Sequence, residues 1–179
     1  MRANGAFTLV YLSILTALAV VLHTVEAWLP VPYLFPGAKL GLANIVGLHV
    51  IFTHGTSAAL VVTLLRSLIG SLVSGTFLGV GFAMSVSAGL ASTAVMGALA
   101  SSGLGPVGIS IVGAVTHNLT QLAVAALVTR QPGIVFYLPV LLFFAVPTGT
   151  LVGIVSGKMK PLEANIRALL NPRRPTPGD

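Results

Sequence analysis

The chain has no cysteine and, among its 179 residues, only three acidic ones: Glu26, Glu163 and Asp179. Without thiols it can form no disulfide, thiol nucleophile or Cys-ligated zinc or iron–sulfur centre. The scarcity of carboxylates leaves nine Lys and Arg residues with few internal partners. No Gly-x-x-x-x-Gly-Lys-Ser/Thr phosphate loop occurs either, which excludes ATP hydrolysis by that route. Charged residues of either sign make up 7% of the chain, against 55% hydrophobic ones. That balance describes a polytopic helical membrane protein.

What is present instead is long apolar sequence. From Ser67 to Thr129 there is no Asp, Glu, Lys or Arg, enough chain for two or three crossings of a bilayer core about 30 Å thick. The pattern predicts an all-α fold of six transmembrane helices in one bundle. The first segment runs from about Phe7 to Leu29 and is read as a retained helix rather than a cleaved signal, because it is long and carries Glu26 near its end. After a Pro-rich connector, Pro30 to Pro36, a shorter segment covers about Leu40 to Thr53. At 1.5 Å per residue it spans about 21 Å, so it tilts, begins inside the protein or is partly re-entrant. The remaining segments are Ser57 to Ser74, Phe82 to Ser101, Val107 to Thr129 and Val135 to Ser156. Residues 1–157 thus form the membrane domain and 158–179 a basic tail, read as an interfacial helix over Pro161 to Leu170 and a disordered end.

The net charge of +6 comes largely from the two ends, Arg2 on one side and Lys158, Lys160, Arg167, Arg173 and Arg174 on the other. This is a topology signal and not a nucleic-acid surface. With an even number of crossings it places both termini in the cytoplasm, in contact with membrane lipids.

Against that background each buried polar residue is informative. An ionisable group in mid-span costs about 2.5 to 3.5 kcal/mol on insertion scales. Arg66 lies among Leu64, Leu65, Leu68 and Ile69 and must face the bundle interior. Glu26 is the only acidic residue within the apolar segments, so it cannot neutralise both Arg66 and Lys39, and an anionic ligand would balance the surplus. Lys39 precedes a helix start in a Pro- and Gly-containing run, which makes either an anion site or an interfacial anchor. Asn44 follows on that helix. His23 and Glu26 share one helix face, as a snorkelling cluster or as part of a site. On the fifth segment Thr116, His117, Asn118, Thr120 and Gln121 form a polar band that either glues helices together or walls a substrate pocket. His49 could line the interior, with His54 at the cytoplasmic end of its segment. Small residues at four-residue spacing, Ser85 to Ser101 and Ala145 to Gly157, suit close packing within the chain or a sliding surface for a partner. Ser13 and Ala17 form a shorter pair on the first helix.

Three stretches carry a family resemblance: Phe35 to Ile45, Leu65 to Ser71 with Gly75-Thr76-Phe77-Leu78, and Gly113 to Leu122. Together they resemble the Gx transporter family, often labelled heptaprenyl diphosphate synthase component I. That family is thought to be related to the substrate-binding components of energy-coupling-factor transporters. The resemblance implies a six-helix subunit of a prokaryotic plasma membrane that captures a small, anionic or phosphate-bearing solute from outside. Its substrate-binding residues would be Lys39, Asn44, Arg66, His117, Asn118, Gln121, Glu26 and His23, with no cofactor and no metal. A transmembrane coupling subunit, met at Ser13 and Ala17, and its ATPases would be the partners. The label raises a second reading, a non-catalytic component of heptaprenyl diphosphate or quinone metabolism beside a prenyl synthase. A third is a membrane subunit of a flavin- or quinone-linked electron-transfer assembly. The chain is not itself the synthase, because ionising an allylic diphosphate needs magnesium held by clustered carboxylates, and Glu26, Glu163 and Asp179 are far apart in sequence.

Overall fold

The computed structural model describes residues 2–28 and 41–170. Within them the chain is a bundle of six α-helices: α1 (Arg2–Trp28), α2 (Leu42–His54), α3 (Thr56–Val73), α4 (Val80–Leu99), α5 (Pro106–Thr129) and α6 (Leu138–Leu170). A 3₁₀ turn, Pro132–Tyr137, leads into α6. All but α2 are long and apolar enough to cross a membrane. The connector between α1 and α2, with Lys39, lies outside the described residues, as does the expected disordered end after residue 170.

The helices expose apolar residues on the outside, and polar residues join an apolar core within. On α3 the buried stripe is Ala59, Val62, Thr63, Arg66, Ser67, Gly70 and Ser71, at spacings of three and four. The opposite face exposes Val61, Leu64, Leu65, Ile69, Leu72 and Val73. Lipid tails solvate that face as well as protein would, so the apolar residues can point outward and the polar ones inward.

At the centre stands α2, only 13 residues long, with every residue from Ala43 to Ile51 buried. It packs on α1, α3, α4 and α6. A helix covered on all sides has no lipid face to pattern, and its buried stretch is accordingly apolar all round except at Asn44 and His49. The short segment of the sequence therefore begins inside the protein. Two glycines set its ends. Gly41 holds a left-handed φ of 72° ahead of the first turn, and Gly55, at φ 87°, is the single residue between α2 and α3. Residues with a Cβ rarely adopt either conformation.

The small-residue ridges pack within the chain. A Cβ on Gly149 would lie 2.7 Å from the Ile111 Cα, and one on Gly153 2.5 Å from the Val107 Cα, so α5 and α6 meet backbone to backbone. On α4, Gly89 faces Thr63 and Arg66, and Gly97 faces Thr56. Gly70 of α3 receives the His23 ring of α1, its built Cβ 2.5 Å from the His23 Cδ2.

One boundary differs from the sequence reading. α6 runs without interruption past Ser156 and through Lys158 to Leu170, so no helix end separates a membrane domain at 157 from an interfacial helix beyond it. Pro147 and Pro161 lie inside this helix and withhold two amide hydrogens, which in a membrane helix is tolerated where neighbours take up the freed groups. The inward turn of Glu163, only 5% exposed, ties the extension to the bundle.

The close α5–α6 crossing yields a prediction. Gly153→Val should force the two backbones apart and lower stability by about 1 to 3 kcal/mol, read as a fall in thermal unfolding temperature in detergent. Gly5→Ala, where nothing stands within 4 Å of the built Cβ, should leave it unchanged.

A candidate anion site around Arg66

Arg66 is 4% exposed and is approached from three other helices, α1, α2 and α4. Its Nη2 donates to the Oδ1 of Asn44 on α2 at 2.7 Å. Glu26, at the end of α1, is the acidic group whose charge acts on the guanidinium. The same carboxylate accepts a hydrogen bond from the Gly41 amide at the start of α2. Gly89 of α4 lies against the group: a Cβ there would come within 3.0 Å of the Thr63 Cγ2 and into ordinary contact with Arg66 Nη2 and Ser67 Oγ, at 3.5 and 3.7 Å. The left-handed turn at Gly41 is what brings α1 and α2 to one point, because it frees the Gly41 amide for Glu26 while its carbonyl accepts from the Asn44 amide at 2.8 Å.

From Arg66 a polar seam crosses the bundle. Ser92, one turn along α4 from Gly89, donates to the Gly89 carbonyl and lies 3.5 Å from the Nδ1 of His117 on α5. Gln121, one turn beyond His117, is 1% exposed, and neither amide atom has a hydrogen-bond partner. Arg66 Nε and Ser67 Oγ are likewise without one. Leaving a buried polar group unmatched costs about 1 to 3 kcal/mol, so three such residues along one seam are expensive unless they serve a ligand or water.

A small cavity of about 10 Å³ opens beside this seam, lined by Gly41, Asn44, Ser110, His117, Asn118 and Thr148 among others. It has room for roughly one water molecule. The site is therefore closed in this conformation.

Of the residues singled out in the sequence, Asn44 and Arg66 are hydrogen-bonded, Glu26 acts on Arg66 through its charge, and Asn44, His117 and Asn118 share the cavity wall. Asn118 also fastens α5 to α6, its Nδ2 donating to the Leu141 carbonyl at 2.9 Å. His23 lies against Gly70 of α3. Lys39 is outside the described residues. Ser13 and Ala17 are exposed and line a separate apolar groove of about 650 Å³ between α1 and α3, with Leu9, Val21, Leu65 and Ile69.

Two features are not visible in the sequence. Ser67, Ser92 and Ser110 pass as ordinary small residues in an apolar run, and only their shared burial marks them as lining. The count of Glu26 as the sole acidic group of the apolar region is corrected by Glu163, which is buried against His49 of α2 at 3.1 Å. Its position after Lys158, Lys160 and Pro161 gives no hint of that in the sequence.

A family model described as heptaprenyl diphosphate synthase component I matches residues 15–159. No curated protein and no solved structure matches the chain. The matched stretch covers most of the chain, from within α1 into the second half of α6. The chain belongs to the heptaprenyl diphosphate synthase component I family.

Asn44→Leu should strand Arg66 Nη2 in the interior and lower stability by about 1 to 3 kcal/mol in thermal unfolding. Asn44→Asp, which keeps an acceptor for Arg66 and puts an acid in the first turn of α2, should retain most of it.

Proposed function

We propose that this member of the heptaprenyl diphosphate synthase component I family is a non-catalytic, solute-binding membrane subunit that seats a small anionic or phosphate-bearing molecule against Arg66. The observation that carries the reading is the burial of a permanently charged guanidinium in an apolar helix, with Asn44 on one nitrogen and Nε unpartnered. Glu26 accepts a hydrogen bond from the Gly41 amide and acts on Arg66 through its charge. In sequence Lys39 stands two residues before Gly41, and two cations, Arg66 and Lys39, against the one carboxylate of Glu26 favour an anion. Guanidinium suits a carboxylate or phosphate through paired N–H donors, and His117, Asn118 and Gln121 supply neutral hydrogen bonds to the rest of the solute.

Because the cavity holds about one water, capture requires the walls to part, as in proteins that close over their ligand. The termini are cytoplasmic in this reading, from the basic charges near both, and the membrane is a prokaryotic plasma membrane. That puts Arg66 toward the outer side. A coupling subunit with its ATPases would meet the α1–α3 groove at Ser13 and Ala17. The chemistry disfavours a catalytic role: Glu26 meets the start of α2 and Glu163 its second half, too far apart to hold one magnesium–diphosphate group.

The family description favours a second reading, a membrane component that holds a prenyl diphosphate for a soluble synthase. Both readings place an anion on Arg66. They part on partners: copurification with a soluble prenyl synthase, and activity gained on mixing, would support the second.

Native mass spectrometry of gently extracted protein should show a retained anionic small molecule, with calorimetric titration of inorganic phosphate and diphosphate as direct probes. Arg66→Ala should weaken anion binding at least tenfold, about 1.4 kcal/mol. Asn44→Asp should do the same while keeping the fold, since its carboxylate occupies the guanidinium. Unchanged affinity in a folded Asn44→Asp protein would remove Arg66 from the site.

A further inference from the structure

The polar side chains of α5 differ in what the bundle offers them. Thr116 Oγ1 donates to the Val112 carbonyl of its own helix at 2.9 Å, and Asn118 Nδ2 donates to the Leu141 carbonyl of α6 at 2.9 Å. Gln121 is 1% exposed, yet neither its Oε1 nor its Nε2 meets a partner. A carboxamide so placed does not glue one helix to another, which is the ordinary use of a glutamine in lipid.

The register of the helices explains why it stays unmatched. α4 packs on both α3 and α5. Toward α5, Met96 meets Gly113 and Ser92 lies 3.5 Å from His117, so the next four-residue step along this antiparallel pair brings Ala88 level with Gln121. A methyl group offers neither donor nor acceptor. Toward α3, the neighbouring Gly89 lies against Arg66 and Ser67, whose Nε and Oγ are also without partners. The unmatched amide and the unmatched guanidinium nitrogen thus flank α4 at one level, where that helix carries two small residues.

We propose that Gln121 is a specificity-determining residue that reads an amide-type edge on the solute whose anionic group Arg66 holds. Such an edge sets an N–H beside a C=O, as in a primary amide, a lactam or an imide. The inference rests on the reading of Arg66 as an anion seat and supplies the second half of the ligand. In the Gln121 carboxamide Oε1 accepts and Nε2 donates, side by side on one planar group. Phosphate and carboxylate oxygens only accept, so an anion placed there would leave Oε1 bare, and a ketone or ether would do the same. A hydrocarbon chain would leave both atoms bare. An amide-type edge meets both at once through two antiparallel hydrogen bonds. The Ser67 hydroxyl either donates or accepts and so does not choose between ligands.

Discrimination of this kind is steep in a site sealed from water, because an analogue lacking the group strands its buried partner. A small solute with an acid at one end and an amide-type edge at the other is therefore preferred over a prenyl diphosphate, whose tail has neither donor nor acceptor.

Native mass spectrometry of the full chain, gently extracted in detergent, should show a retained molecule carrying both an acidic group and amide-type nitrogen, and Gln121→Leu protein should lack it. Two probes test the same point by calorimetric titration. Succinamate and 4-oxopentanoate share a carboxylate, a chain length and a carbonyl, and differ only by an amino group in place of a methyl. The wild type should bind succinamate at least tenfold more tightly, and in Gln121→Leu the ratio should fall to about one. The substitution should also leave the thermal unfolding temperature of the ligand-free protein unchanged or raise it, since it removes an unpaired polar group. Gln121→Met serves if the leucine variant does not fold. A lowered unfolding temperature in both variants marks a structural role and overturns the proposal. A retained prenyl diphosphate or polyol phosphate without such nitrogen overturns it too, as does equal affinity for the two probes in a protein whose anion binding depends on Arg66. If no anion binds and Arg66→Ala changes nothing, the reading around Arg66 fails and takes this inference with it.

Discussion

A polar group sealed in an apolar bundle has to be matched by another, and most of this architecture follows from that demand. Arg66 cannot reach water from the second half of α3, so α2 brings Asn44, α1 brings the charge of Glu26 and α4 packs Gly89 against it. Each of these features is weak alone. Together they fix which faces of the helices point inward, a decision that apolar burial cannot make when the surrounding medium is itself apolar.

The short central helix is where these demands meet. Buried on every side, α2 has no contact with lipid along most of its length and serves instead as an axle for the longer helices. Its first turn faces the guanidinium; its second half faces an imidazole–carboxylate pair. A displacement of α2 is therefore felt at both. The glycines at its ends, Gly41 and Gly55, define tight corners and leave little slack in between.

The family description speaks of a synthase component, and the chemistry of the chain narrows what that can mean. The two carboxylates of the described bundle serve an arginine and a histidine, not a metal. The unmatched polar atoms of Arg66, Ser67 and Gln121 lie along one seam of the bundle interior. The exposed groove between α1 and α3 offers apolar contact without a polar centre, which suits lipid or a helix of another subunit.

The sequence by itself determined the class, the all-α membrane bundle, the number and order of its helices, the shortness of α2 and the inward facing of Arg66, because a charge inside a long apolar run has only one physical resolution. It also marked Asn44, His117, Asn118 and Gln121, since amides and imidazoles are costly in lipid. What only the tertiary structure decided was pairing and continuity. Which neighbour takes which donor depends on helix rotation, which four-residue periodicity leaves free on α3 and α5. That α6 runs on past Lys158 and Pro161, and that Glu163 turns in to meet His49, depends on contacts with helices more than a hundred residues earlier. Local composition, basic and proline-bearing, reads there as a separate interfacial helix; the contact of the buried Glu163 with His49, made at long range, is not legible in it.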